Sequence, residues 1–235
     1  MNNNRKNVLI IGASSSLGVK VVDNFLNENY EVFATYNKNP DPISPLVTKL
    51  FQLDLLSDSS ISTFSNKLSE NQTKFNTVIL LSGSLIGKSL QDYSLEEVGE
   101  IMTINFLGQA KAVKEILSYM SKGSSVTMLS SISGQRGSFD PIYSASKGAI
   151  ISFVKSMSTW HAPNIRFNAI APGLIDASAM YKQMTPDRIR FHKDNTPMQS
   201  FPSADEVARI IFDLTQDYWR HVNGEVIKVN GGSYV

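Results

Sequence analysis

Asn7–Ile11 (NVLII) carries an unbroken apolar run from Val8 to Ile11. A strand with one wet face alternates apolar and polar side chains. An unbroken run demands cover on both faces, as in a parallel sheet between two helical layers. Gly12-Ala-Ser-Ser-Ser-Leu-Gly18 follows at once, then a helical pattern to about Asn29 with Leu17, Val21, Val22, Phe25 and Leu26 on its apolar side. Strand, Gly-rich turn and helix together make a βαβ opening. Small residues there let a phosphate approach the backbone, where the helix N-terminus offers N–H groups and positive dipole. A plain tight turn fits this stretch equally well by itself, so the remainder of the chain has to decide.

The theme repeats. Glu31–Thr35, Val47–Leu53, Thr77–Leu81, Val126–Leu129, Asn164–Ile170 and Glu225–Val229 read as strands. Between them helical patterns run from about Ser57 to Asn71, from Ser94 towards Met120, from Tyr143 to about His161 and from Ser203 to about Trp219. Ser94-Leu-Glu-Glu97 and Ser203-Ala-Asp-Glu206 are capping boxes. Such alternation predicts an α/β fold: a Rossmann-like, doubly wound, parallel seven-stranded sheet with helices on both faces. One domain over 1–235 is expected. From Leu174 to Ser200 the periodicity dissolves into a Met-bearing stretch, which is read as a substrate lid.

Composition narrows the function. A chain of 235 residues, 42% hydrophobic, can bury a sizeable core. Its net charge of +1 gives no footprint for nucleic acid or an anionic membrane. There is no Cys, and His161, His192 and His221 have no partner at ligand spacing, so no metal site is expected. The first apolar run is too short for a signal segment, and no run approaches the roughly 18 residues of a membrane span. A cytoplasmic location is the expectation.

The stretch Ser130–Lys147 (SSISGQRGSFDPIYSASK) carries the chemistry. On a helix, Tyr143 and Lys147 share a face one turn apart. Ser130 and Ser131 end a strand and can face them. A free tyrosine titrates near pH 10. A neighbouring ammonium favours the phenolate, making Tyr143 a usable general acid/base while a serine hydroxyl holds the substrate oxygen. Nothing in this trio accepts electrons, so a redox reaction would need a cofactor for the hydride. Gly83, after the fourth strand, suits close backbone approach to a ligand. After the second strand stand Tyr36, Asn37 and Lys38, with no carboxylate to bond ribose hydroxyls. Lys38 could pair with a 2′-phosphate, so NADP is favoured and NAD stays possible.

In these motifs the chain resembles the short-chain dehydrogenase/reductase family, in its compact branch that includes the β-ketoacyl-acyl-carrier-protein reductases. The resemblance rests on GASSSLG (12–18), Asp54, INFLG (104–108), SSISG (130–134), YSASK (143–147), NAIAPG (168–173) and NGEVIKVNGG (223–232). It implies hydride transfer between NAD(P) and an alcohol or ketone carbon, with Tyr143 as general acid/base. Lys147 would lower the tyrosine's pKa and bind the nicotinamide ribose. Asn105 would complete a proton relay. The Ser-x-x-Gly pattern picks Ser131 as the substrate-holding serine, while the distance to the tyrosine picks Ser130. The cofactor would lie along Gly12, Ser14, Ser15, Ser16, Leu17 and Gly18, then Tyr36, Asn37, Lys38, Asp54, Leu55, Ser82, Gly83, Tyr143, Lys147, Pro172, Gly173 and Ile175. A homotetramer or homodimer is implied, built through the helices after the fourth and fifth strands and the C-terminal strand.

Three departures stand against that pattern. Ser16 replaces the middle glycine of the turn. Leu80-Leu81-Ser82-Gly83 replaces Asn-Asn-Ala-Gly, so bracing of that strand must come from elsewhere. Ala177 falls where a cofactor-contacting threonine is usual, with Ser178 as a substitute. In addition, Ser15 sits where many NADP-preferring members have a basic residue. These motivate a second reading, a non-catalytic NADP(H)-binding sensor or scaffold.

Overall fold

The computed structural model describes residues 5–235. Its strands are β1 Asn7–Ile11, β2 Glu31–Tyr36, β3 Lys49–Gln52, β4 Phe75–Leu80, β5 Met120–Leu129, β6 Ile165–Pro172 and β7 Val226–Val229. They form one parallel sheet in the order β3-β2-β1-β4-β5-β6-β7. The helices are α1 Ser16–Asn27, α2 Asp58–Asn71, α3 Leu95–Met102, α4 Gly108–Ile116, α5 Ser133–Arg136, α6 Pro141–His161, α7 Ala179–Lys182, α8 Pro186–Asp194 and α9 Ala204–Leu214.

The strand pattern splits the core in two. Leu9 and Ile11 of β1, Phe33 of β2 and Val78 and Leu80 of β4 join Phe64 of α2, Val113 of α4 and Ile150 and Val154 of α6 on one face. Val8, Ile10, Val32, Ala34 and Ile79 face the other way, against Val21, Val22 and Phe25 of α1 and Val207 and Ile211 of α9. Both faces are covered, which is why these strands read as continuous apolar runs.

Two elements differ from the sequence reading. The helix expected from Ser94 towards Met120 is broken: α3 passes through a π-helical turn, Thr103–Leu107, into α4, and β5 already begins at Met120. The stretch 174–200 is not irregular, because it holds α7 and α8. Ser178 caps α7 through the Tyr181 amide. Thr185 caps α8 through the Arg188 amide, with Pro186 at the first helical position.

The strand order reverses between β1 and β4, so the carboxyl ends of these strands open a crevice at the switch point. The Leu81 amide donates to the Ile11 carbonyl, and the Ser130 amide to the Ile170 carbonyl, which carries the parallel ladder to the crevice floor.

Candidate active site

The first wall of the crevice is the turn from β1 into α1. Gly12 has φ of +79°, and a Cβ there would stand 2.6 Å from the Ser82 hydroxyl oxygen. Only glycine can both take that conformation and let β1 pass beneath Ser82. The Ser15 hydroxyl accepts from the Gly18 amide, capping α1. The amides of Ser16 and Leu17 then stay at the positive end of the helix, in the pair of positions that no intrahelical carbonyl reaches. Ser16 is exposed, so its side chain crowds nothing. A Cβ on Gly18 would overlap the Ala13 carbonyl, so this glycine serves helix-on-strand packing. Ser14 lies between the two, on the rim.

At the end of β2, Tyr36 is the last strand residue, and Asn37 and Lys38 are exposed. Among the described residues no carboxylate pairs with Lys38. The Asp54 carboxylate accepts from the Leu56 amide at 3.0 Å. Leu55 is buried, and its carbonyl lies where a Cβ on Gly108 would be. The positions of Gly12, Ser15–Gly18 and Lys38 fit a dinucleotide: free helix amides for a pyrophosphate and an unpaired cation at the end of β2.

The opposite wall is α6. Asp140 caps it by accepting from the Tyr143 amide, and Pro141 opens its first turn. Tyr143 and Lys147 are both buried, on one face, with Nζ 5.9 Å from the phenol ring centroid. Lys147 Nζ donates to the Leu129 carbonyl at 2.7 Å. A Cβ on Gly83 would come to 3.1 Å from the same Nζ, so glycine keeps the β4 side of the crevice open above the lysine.

The two serines part company. The Ser130 hydroxyl donates to the Lys147 backbone carbonyl at 2.8 Å. The Ser131 side chain instead lies near the Tyr143 phenol, where it acts to lower the phenol's pKa. It also accepts from the Ser133 amide at 3.1 Å.

Burial dominates the electrostatics. It pushes the Tyr143 phenol above its ordinary value; the nearby Ser131 hydroxyl pulls the other way, and the Asp140 charge adds to the rise. Burial pulls Lys147 from 10.5 down to about 8. The expectation that Lys147 depresses the tyrosine is therefore not what the protein alone displays. Desolvation disfavours both charged forms, and Nζ is directed to a carbonyl rather than to the phenol oxygen.

Asn105 sits in the π-helical turn and is wholly buried. Its amide is fully engaged. Oδ1 accepts from the Ser84 amide at 2.7 Å, and Nδ2 donates to the Ser84 carbonyl and to Ser146 Oγ, each at 2.9 Å. This side chain braces the chain after β4, where polar bracing is missing from the strand's own sequence. Gln109, which the sequence reading passed over, does the same for the preceding residues. Its Nε2 donates to the carbonyls of Ser82 at 2.9 Å and Asn105 at 2.8 Å. Its Oε1 is buried without a partner among the described residues. The available signal was a glutamine one turn beyond Asn105, on the buried side of an apolar helix face.

A cavity of about 130 Å³ is lined by Ile132, Arg136, Gly173, Leu174, Phe191 and His192, among others. Helix α8 thus borders the crevice. Pro172 ends β6 and accepts from the Ile132 amide. Ile175 packs on the α1/α9 side of the core. Ala177 has a left-handed φ of +52°. No cluster of three or more potential metal ligands occurs among the described residues, and no helix is long and apolar enough to cross a membrane.

Comparison with known proteins identifies the chain's relatives. The family model described as enoyl-(acyl carrier protein) reductase matches residues 12–234. The "uncharacterized oxidoreductase YmfI" of Bacillus subtilis (strain 168) is 29% identical over 238 aligned residues, covering 97% of this chain and 98% of that protein. The 3-oxoacyl-[acyl-carrier-protein] reductase FabG of Buchnera aphidicola is 27% identical, covering 98% and 89%. Among solved structures, a short-chain dehydrogenase/reductase of Brucella melitensis, titled glucose/ribitol dehydrogenase, superposes with a TM-score of 0.91 at 23% identity over 98% and 97% of the two chains.

Proposed function

The chain belongs to the short-chain dehydrogenase/reductase family, oxidoreductases that use a nicotinamide cofactor on CH–OH and C=O groups, and from that premise we propose that it reduces a ketone, with NADPH as its preferred donor and Tyr143 as general acid. The observation that carries the reading is the convergence of Ser131, Tyr143 and Lys147 in a crevice whose other wall is the α1 amide cradle.

Bound NADP(H) would supply the hydride, which no side chain here can carry. The chain's own groups handle the oxygen. Ser131 and the Tyr143 hydroxyl together hold the carbonyl oxygen. Tyr143 donates its proton as negative charge develops there, and a phenol held above its ordinary pKa is protonated at neutral pH, as reduction requires. Lys147 stands beside the phenolate that results and can stabilise it. The Asn105 amide is engaged by Ser84 and Ser146 and its backbone carbonyl by Gln109, so its part is first to hold the chain after β4 in place. Ser130, bonded into α6, is left as a support and Ser131 as the substrate-facing hydroxyl. The cofactor would rest on Gly12, Ser14–Gly18, Tyr36–Lys38, Asp54, Leu55, Ser82, Gly83 and the Pro172–Ile175 segment. Substrate would enter beneath α8. The similarity to 3-oxoacyl-[acyl-carrier-protein] reductases favours a β-ketoacyl thioester or ester.

Acetoacetyl-CoA is the first probe. Tyr143→Phe should lower kcat at least a hundredfold while NADPH affinity, read by fluorescence, stays within about twofold; unchanged turnover would sink the mechanism. Lys38→Glu should weaken NADPH about tenfold or more and spare NADH. Binding of neither nucleotide by the unsubstituted protein would turn the reading to a non-catalytic module that has lost its cofactor.

A further inference from the structure

Asp140 is buried at 3% exposure, and its carboxylate takes part in none of the described ion pairs. It accepts three hydrogen bonds from two distant parts of the chain. Oδ1 takes the Tyr143 amide at 2.8 Å. Oδ2 takes the Tyr93 hydroxyl at 2.6 Å and the Gly87 amide at 2.9 Å. A helix cap needs only the first of these. The other two reach back some fifty residues, into the chain between β4 and α3.

That chain has no regular structure from Leu81 to Ser89. It leaves the switch point beside Lys147, as the closeness of Gly83 to Nζ shows. Asn105 grips it at Ser84 through both backbone groups. Asp140 grips it at Gly87 and Tyr93. Leu85 and Ile86 are thereby suspended between two buried polar anchors, on the border of the crevice.

We infer that Asp140 is a positioning residue that clasps the β4–α3 segment to the head of the helix carrying Tyr143, so that one carboxylate sets both the crevice wall and the charge environment of the acid–base tyrosine. The second half of this rests on the reading of Tyr143 given above; the first does not.

The charged and titratable groups around the clasp are few. Tyr93 comes from the β4–α3 segment, and its own ionisation is strongly suppressed by burial and by the Asp140 bond. Glu97 of α3 lies beyond it and is paired with Lys88. Tyr143 and Lys147 come from α6. From α8, Arg188 stacks 6.0 Å from the ring of Phe139, next to Asp140 in sequence. No described cation touches the carboxylate, so its charge adds to the rise that burial of the Tyr143 phenol already causes.

The test uses Tyr93→Phe and Asp140→Asn, both of which keep side-chain volume and the α6 cap. Hydrogen exchange followed by mass spectrometry needs no substrate. The proposal expects faster exchange across residues 84–93 in both variants, by tenfold or more. If Asp140 only capped α6, both variants would leave exchange at 84–93 untouched, and that outcome overturns the clasp. Tyrosine ionisation is then followed by ultraviolet difference titration. Subtracting the Tyr143→Phe curve isolates Tyr143, and the same subtraction is made in the Asp140→Asn background. The Tyr143 midpoint should fall in Asp140→Asn and stay put in Tyr93→Phe; an unmoved midpoint in Asp140→Asn overturns the electrostatic role. Full turnover of acetoacetyl-CoA by Tyr143→Phe would overturn the acid–base reading and leave the clasp standing.

Discussion

Lys147 shows what a buried ammonium costs the fold. It is buried without a counter-charge, and its pKa falls from 10.5 to about 8. The unfolded chain holds this proton up to about pH 10.5, whereas the folded one releases it from about 8. Between those values the unfolded state binds more protons, so stability rises with pH. Below pH 8 both states are protonated, and the full penalty, on the order of 3 kcal/mol from the shift, is present. Tyr143 acts in the opposite sense: its raised value makes the folded state hold a proton that the unfolded state loses above about pH 10. The clean window is therefore pH 8–10. Lys147→Met should be inactive yet no less stable than the unsubstituted protein at pH 7, even though the Leu129 carbonyl loses its donor, at about 1–3 kcal/mol. Urea midpoints at pH 7 and 9.5 check this. The gap between variant and parent should narrow with pH, and a gap that widened would refute the assignment.

At the scale of elements, close packing explains which glycines matter. A Cβ on Gly134 would lie 2.6 Å from the Lys147 carbonyl carbon and 2.7 Å from the Gly148 amide, so α5 can seat on α6 only without a side chain there. Gly134→Ala should cost about 1–3 kcal/mol and disturb Ser131 and Lys147 together. Gly99, in α3, has nothing within 4 Å of its Cβ position. There Gly99→Ala should add about 0.5–1 kcal/mol. Thermal melts of the pair decide, since a mere glycine-entropy effect would stabilise both. The same scale shows what a sequence can display. Tyr143 and Lys147 were legible because helical spacing alone puts them on one face. The doubly covered sheet was legible because strand after strand carries no polar alternation. The π-helical turn at Thr103–Leu107 was not, because one extra residue in a helical turn leaves an apolar pattern nearly intact, and the Asn105–Ser84 bonds it accompanies span 21 residues. The Ser-x-x-Gly pattern favours Ser131 over Ser130, but which hydroxyl the end of β5 leaves unspent depends on a register that one residue reverses. Gln109 and Asp140 act through partners 27 and 53 residues away, beyond any local periodicity. The helices of 174–200 are a different matter: Ser178 and Thr185-Pro186 are ordinary start signals that the scattered methionines and charges obscured.

For the whole molecule, the surface of the α2/α4/α6 layer bears on assembly. The inner faces of α4 and α6 bury Val113, Ile116, Ile150 and Val154 against the sheet. Outside, Leu107 at the head of α4 is 46% exposed and Trp160 at the end of α6 is 83% exposed, with Leu95 of α3 at 92%. Such side chains on one layer suit an isologous helix-to-helix contact, which for a stable dimer must cover about 800 Å² per chain. At the far side of the sheet, β7 pairs only with β6 and leaves its other edge unpaired among the described residues, a second surface that a further copy would cover. Together they predict a dimer through the helices and a tetramer when the β7 edge is also used. Light scattering at micromolar concentration should give two or four times the 26.0 kDa of one chain. Leu107→Glu with Trp160→Glu should reduce the mass to that of one chain, or of a β7-edged dimer, with the fold retained by circular dichroism. These side chains face away from the crevice walls, so NADPH binding should survive the change. A monomer before any substitution would mean that the apolar surface of this layer is tolerated in water, and the assembly reading would fall with it.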